Sequence, residues 1–206
     1  MMTLPPSPVR FREGTHRIAD PGETFERFAP LMPRCGITRI AKLAGLDRVG
    51  VPVYAAIRPN SKGLSTAQGK GLSDLAARAS ALMESLEGWH GERARSWAFV
   101  SSRDAEAETG IPVVDVGVLP SRGGRGPQPH TRLNWVKGRS LLSDGDVLGP
   151  YNSVSTDFTD GVAAPFARTT NGLASGNSWL EASLHALYEV VERDAVTRAS
   201  LCPAGR

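Results

Sequence analysis

Two stretches of this 206-residue chain carry the helical period, and each sets a row of glutamates along one helix face. The first runs from Ser73 to about Trp97, with Leu75, Ala79, Leu82, Leu86 and Trp89 on one side; the second starts near Ser178, with Leu180, Leu184, Leu187 and Val191 as its apolar stripe. At about 100° per residue, Ser80, Glu84 and Glu87 lie within about 40° to 60° of each other, opposite Leu75, Leu82 and Leu86. In the second helix Glu181, Glu189 and Glu192 fall within roughly 80°, with His185 on the same arc. Like charges three or four positions apart destabilise an isolated helix by roughly 0.2 to 0.5 kcal/mol per pair. Such stripes need solvent, neighbouring arginine or a cation between them, and spacing alone leaves all three open.

Each helix also follows a glycine-rich entry, Gly69-Lys70-Gly71 before the first and Gly172 to Asn177 before the second. Backbone N–H groups at such entries can take phosphate oxygens. Ser178-Trp179-Leu180-Glu181 reads as a capping box at the second start. If the stripes face each other across a cleft, Glu84, Glu87, Glu189 and Glu192 offer hard oxygen donors to Mg2+, which takes one or two carboxylates plus substrate phosphates. Nucleotide chemistry is the consequence of that arrangement.

The rest of the chain reads as strands and turns. Ile37 to Ala44 and Val49 to Arg58 form a predicted hairpin across Leu46-Asp47-Arg48, and Leu64 to Gln68 is a third extended piece. Leu133 to Leu142 and Val147 to Tyr151 are predicted to pair across Ser143 to Asp146, after the glycine-rich loop Pro120 to Pro127. A short helix at Thr24 to Phe28 follows Pro21-Gly22, read as a breaker. The predicted fold class is α+β, antiparallel strands packed against two long glutamate-bearing helices, behind a flexible tail at 1–12.

Several function classes are excluded. The chain is 40% hydrophobic and 22% charged, an ordinary globular balance, and it holds no apolar run near the roughly 18 residues of a membrane span. No secretory signal opens it, so a cytoplasmic protein with no membrane partner is expected. Cys35 and Cys202 are the only cysteines, too far apart for a zinc ribbon. Net charge is +3 with the arginines scattered, which argues against nucleic acid. Gly63 to Lys70 fails as a Walker loop: five residues separate its glycines, and Gly71 stands where Ser or Thr belongs. Glu87-Gly88-Trp89-His90 has the di-iron Glu-x-x-His spacing, but the second helix lacks its counterpart. No nucleophile–base motif is present, so no catalytic residue is assigned.

Gly69-Lys70-Gly71, Ser80 to Glu87, Asn171-Gly172-Leu173-Ala174-Ser175-Gly176-Asn177 and Glu189-Val190-Val191-Glu192-Arg193, in that order, resemble the YcaO family over nearly the whole chain. Gly14 to Arg17, Pro21 to Thr24 and Gly36 to Arg39 further resemble members encoded beside TfuA-type partners. The resemblance implies the N-terminal portion of a YcaO domain at 13–206, with an ATP-binding core at roughly 60–206. It implies an ATP- and Mg2+-dependent enzyme that phosphorylates a peptide-bond amide oxygen, giving an azoline or, with external sulfide and a TfuA-like partner, a thioamide in a ribosomally made peptide. By matching positions, Arg17, Thr24, Ser80, Glu84, Asn177, Glu181 and Arg193 would bind ATP, and Glu84, Glu87, Glu189 and Glu192 would hold the metal. A homodimer is also implied. Gly88 stands where the family often has Arg. Since the family continues past the second glutamate helix, a truncated member lacking the C-terminal half is expected. The alternatives are a non-catalytic binding or scaffold protein, or an accessory factor in ribosomal-protein methylthiolation.

Overall fold

Pro21 begins a helix rather than breaking one. In the computed structural model, which describes residues 6–43, 48–95, 98–101, 104–121, 126–128, 130–161 and 165–201, helix α1 spans Pro21–Phe28. Asp20 is its N-cap, taking the Glu23 backbone N–H while the Glu23 side chain returns to the Asp20 N–H. Proline at the first helical position loses only a donor that has no intrahelical partner anyway. Of the predicted tail, residues 1–5 lie outside the described residues. Phe11 bridges antiparallel to Arg17, and Arg10 donates to the Ile18 carbonyl and pairs with Glu23.

Strands β1 (Arg39–Lys42), β2 (Val53–Ile57) and β3 (Thr66–Lys70) form one antiparallel sheet in chain order. The predicted hairpin is β1–β2, with Arg39 opposite Ile57; residues 46 and 47 of its turn lie outside the described residues. Helix α2 (Asp74–Gly91) covers this sheet and ends earlier than the predicted Trp97, which itself lies outside the described residues. Ala81, Leu82 and Leu86 are buried with Cys35, Ile37 and Ala56, while Phe25, Phe28, Tyr54 and Trp89 pack around them. Leu75, expected on the same side, is half exposed near the helix start. Gly69 explains the fit of sheet to helix: a Cβ there would lie 1.9 Å from the Ala81 nitrogen. Strand and helix backbones touch at that point, so any side chain is excluded.

Strands β4 (Ala98–Ser101), β5 (Arg132–Arg139) and β6 (Asp146–Pro150) make a second antiparallel sheet, with short helices α3 (Ala105–Thr109) and α4 (Tyr151–Val154). The predicted pairing across 143–146 is β5–β6, with Arg139 opposite Asp146. Residues 122–125 of the glycine-rich loop lie outside the described residues. The core here is Val100, Ala105, Leu133, Trp135, Leu148 and Phe166. Trp135 is fully buried and satisfies its indole N–H on the Val100 carbonyl at 3.0 Å. Helix α5 (Trp179–Leu201) is the last element, and Cys202 lies outside the described residues.

Two compact units result, one from residues 6–89 together with 171–201, the other from His90–Thr170. The architecture is α+β with antiparallel sheets, as the sequence implied. Among the described residues no helix is long and apolar enough to cross a membrane. The predicted stripe of α5 is a different matter: Leu180, Leu184, Leu187 and Val191 are 37%, 45%, 50% and 59% exposed. That stripe is not core here, because periodicity marks which side chains are apolar, not whether another element covers them.

Candidate functional site

A cavity of about 520 Å³ opens in the first unit. Helix α2 gives it Ala76, Ala79, Ser80, Met83, Glu84 and Glu87, a face that is apolar at one end and acidic at the other. Phe11, Thr15, Arg17 and Thr24 come from the chain before and within α1, Lys70 from the end of β3, and Ser175, Gly176 and Asn177 from the turn before α5. Glu181 and His185, one turn apart on α5, close the lining. The size suits a small-molecule site.

The capping pattern at the second helix differs from the simple box. The Ser178 hydroxyl accepts the Glu181 N–H at 3.1 Å, as predicted. The Glu181 carboxylate reaches past Ser178, however, and accepts from the Asn177 N–H at 3.0 Å and from the Ile18 N–H at 2.8 Å. It is buried and ties the two ends of the chain together. Asn177 joins this network through its side-chain N–H2, which donates to the Thr24 hydroxyl at 2.9 Å, while Arg27 donates to its carbonyl at 3.0 Å. Gly176 permits the tight turn, since a Cβ there would lie 2.6 Å from the Ala182 nitrogen.

The acidic end carries the electrostatics. Burial raises the Glu84 carboxyl above its usual range, repulsion from Glu189 adds to this, and His185 and Lys70 oppose it. Burial pushes Glu87 up to about 7; hydrogen bonds from Ser175 oppose the rise, and the charges on Glu84 and Glu189 reinforce it. Glu189 is partly buried, accepts from the Gly172 N–H at 3.1 Å, and lies 3.6 Å from Arg193. Three carboxylates therefore repel one another around one end of the cavity.

Two observations bear on whether Mg2+ and a phosphate-bearing ligand fit. Asn177 lines the cavity, and its side-chain oxygen is buried without a hydrogen-bond partner among the described residues, which is costly unless something donates to it or binds it. Among the described residues no three His, Cys, Asp or Glu side chains form a ready-made metal cage. Mg2+ seldom uses such cages, taking one or two carboxylates and completing its shell with phosphate and water. The donors present fit an ion that arrives with phosphate.

The structure therefore gathers Arg17, Thr24, Ser80, Glu84, Glu87, Asn177 and Glu181 around one cavity. Glu189 acts on that cavity by charge, Arg193 is paired with Glu189 and largely exposed, and Glu192 is exposed. Of Gly69-Lys70-Gly71, Gly69 and Lys70 end β3, and Lys70 and Gly71 line the cavity. Sequence reasoning missed Phe11 and gave no role to Thr15, Met83 and Ser175, although these three lie within the motifs Gly14 to Arg17, Ser80 to Glu87 and Asn171 to Asn177.

A family model described as YcaO cyclodehydratase, ATP- and Mg2+-binding, matches residues 68–204. An uncharacterized protein of Mycobacterium tuberculosis is 40% identical over 199 residues, covering 94% of this chain and 44% of that protein. An uncharacterized protein from the tfuA 3′ region of Rhizobium leguminosarum bv. trifolii is 39% identical over 183 residues, covering 87% of this chain and 42% of its own length. The chain thus spans less than half the length of these relatives. Among solved structures, that of YcaO from Methanopyrus kandleri bound with AMPPCP and Mg2+ superposes with a TM-score of 0.70 at 25% identity, covering 95% of this chain and 48% of that one.

Proposed function

Given that the chain belongs to the YcaO family, whose members are described as ATP- and Mg2+-binding cyclodehydratases, we propose that its cavity takes Mg2+-ATP and serves phosphorylation of a peptide backbone amide. The observation that carries this reading is the crowding of Glu84 and Glu87, with Glu189 acting on both, at the end of a cavity lined by Asn177, whose side-chain oxygen is unpaired among the described residues. Glu84, Glu87 and Glu189 are the proposed cation ligands, and Arg17, Thr24, Ser80, Asn177 and Glu181 the proposed nucleotide contacts. The resemblance adds Glu192 and Arg193 to the two sets. Phe11, Ala76 and Met83 offer an apolar wall that would shield a flat ring from water.

Bound Mg2+-ATP supplies a phosphoryl group and neutralises charge as that group moves. After a nucleophile adds to the amide carbon, the former amide oxygen takes the γ-phosphoryl group, ADP is released, and the oxygen departs within inorganic phosphate. The carboxylates of this chain hold and orient; Lys70 and Arg17 bring positive charge to the same cavity. The proposed product is an azoline when a neighbouring Cys, Ser or Thr attacks, or a thioamide when sulfide attacks. The tfuA neighbourhood of one relative supports the thioamide branch and a TfuA-like partner. The proposed setting is the cytoplasm, with a peptide as substrate and a homodimer as the assembly.

A binding role without turnover is the second reading, favoured by the exposure of Glu192 and Arg193 away from the lining. Calorimetric titration of the folded chain with Mg2+-ATP tests the first reading, and absence of binding removes it. Phosphate release with a candidate peptide, with and without a TfuA-like protein, then separates them: release supports turnover, and binding without release supports the scaffold.

A further inference from the structure

Ser175 grips Glu87 twice. Its backbone N–H donates to Glu87 Oε1 at 2.8 Å, and its hydroxyl donates to the same oxygen at 2.6 Å. The two residues are 88 positions apart, so the pair joins α2 to the turn before α5. No hydrogen bond reaches Glu87 Oε2 among the described residues, and Glu87 lines the cavity. On its other side the Ser175 carbonyl faces His185 Nδ1 at 3.4 Å, which anchors the turn to α5. Glu84, the other carboxylate of α2 in the cavity, has no comparable restraint among the described residues.

A carboxylate bonded twice through one oxygen has little rotational freedom left, and its second oxygen is fixed in direction. Glutamate held this way loses less side-chain entropy when it meets an ion, because that freedom was removed on folding. We propose that Ser175 is a positioning residue for the cation ligand Glu87: it pins Oε1 and presents Oε2 to the divalent ion, touching neither ion nor nucleotide itself. The inference rests on the Mg2+ reading above. Outer partners of metal-ligating carboxylates orient them in the same way in known metal sites.

The test uses Mn2+ as the probe and needs no turnover. Free Mn2+ is followed by electron paramagnetic resonance as the ion is titrated into the whole chain with AMPPCP present, and metal-free nucleotide affinity is measured separately. For Ser175→Ala, Mn2+ affinity should fall on the order of tenfold, the loss of one charge-assisted hydrogen bond, with metal-free nucleotide affinity unchanged. Ser175→Thr, which keeps the hydroxyl, should restore Mn2+ binding. If Ser175→Ala does not fold, the isosteric pair Ser175→Thr and Ser175→Val carries the same comparison. Wild-type Mn2+ affinity in the variant lacking the hydroxyl overturns the Ser175 role; if Glu87→Gln still weakens Mn2+ in that case, the cation reading stands without it. Absence of Mn2+ binding by the unaltered chain overturns both.

Discussion

Helices α2 and α5 carry the same sequence device, glutamates at helical spacing behind a glycine-rich entry, yet the fold treats them differently. Helix α2 has Ala81, Leu82 and Leu86 sealed against the first sheet, and its acidic face turns into a cavity. Among the described residues helix α5 is held through Ser178, Glu181, His185 and Glu189, all in its first half or just before it, and every residue from Val190 to Leu201 is exposed. A carboxylate behaves according to what packs behind it. Glu84 and Glu87 are pushed up by burial, whereas Glu192 stands in water.

The contrast is broken most directly through packing. Leu82→Ala, at a fully buried position, should cost about 3 to 4 kcal/mol in denaturant unfolding, within the range for a leucine deleted from a core. Leu187→Ala, half exposed on α5, should change stability by no more than about 0.5 kcal/mol. Equal losses at the two sites would mean that α5 is covered in solution.

Titration sharpens the comparison next. Glu87 has a native value of about 7 against an ordinary value of 4.5. Between those limits the native chain retains a proton that the unfolded chain has lost, so stability should fall as pH rises through the window, by on the order of 3 kcal/mol. Glu87→Gln should flatten that slope. Because the proton competes with the cation, Mg2+-ATP affinity should rise as pH climbs towards about 7 and level off above it. A pH-independent affinity would remove Glu87 from the ligand set.

Smaller effects separate the ligands themselves. Glu84→Gln should weaken Mg2+-ATP about tenfold or more in calorimetry, equivalent to about 1.4 kcal/mol. Glu192→Gln should weaken it only about twofold, since an exposed carboxylate acts through screened charge. The reverse ranking would show that the end of α5 folds over the bound nucleotide.

The hairpins, the second helix start and the position of Ser80, Glu84 and Glu87 on one face were legible because they follow from local period and turn chemistry. Three features were not. Pro21 looked like a breaker because proline marks both the end of one element and the first residue of another, and only the Asp20–Glu23 exchange distinguishes them. Gly69 looked like part of a ligand turn, whereas its lack of a side chain serves the approach of β3 to α2. The bonds from Ser175 to Glu87 and from Ile18 to Glu181 join positions far apart in the chain, and no local pattern announces such partners.

The bond from Ile18 to Glu181 spans 163 residues, and that from Asn177 to Thr24 spans 153. Closing loops of such length is entropically opposed until many other contacts have formed, and topologies rich in distant pairs fold slowly. During synthesis the first sheet and α2 can therefore assemble well before the cavity does. The pocket becomes complete only when His185 has left the ribosome, so its walls wait for nearly the whole chain to be made.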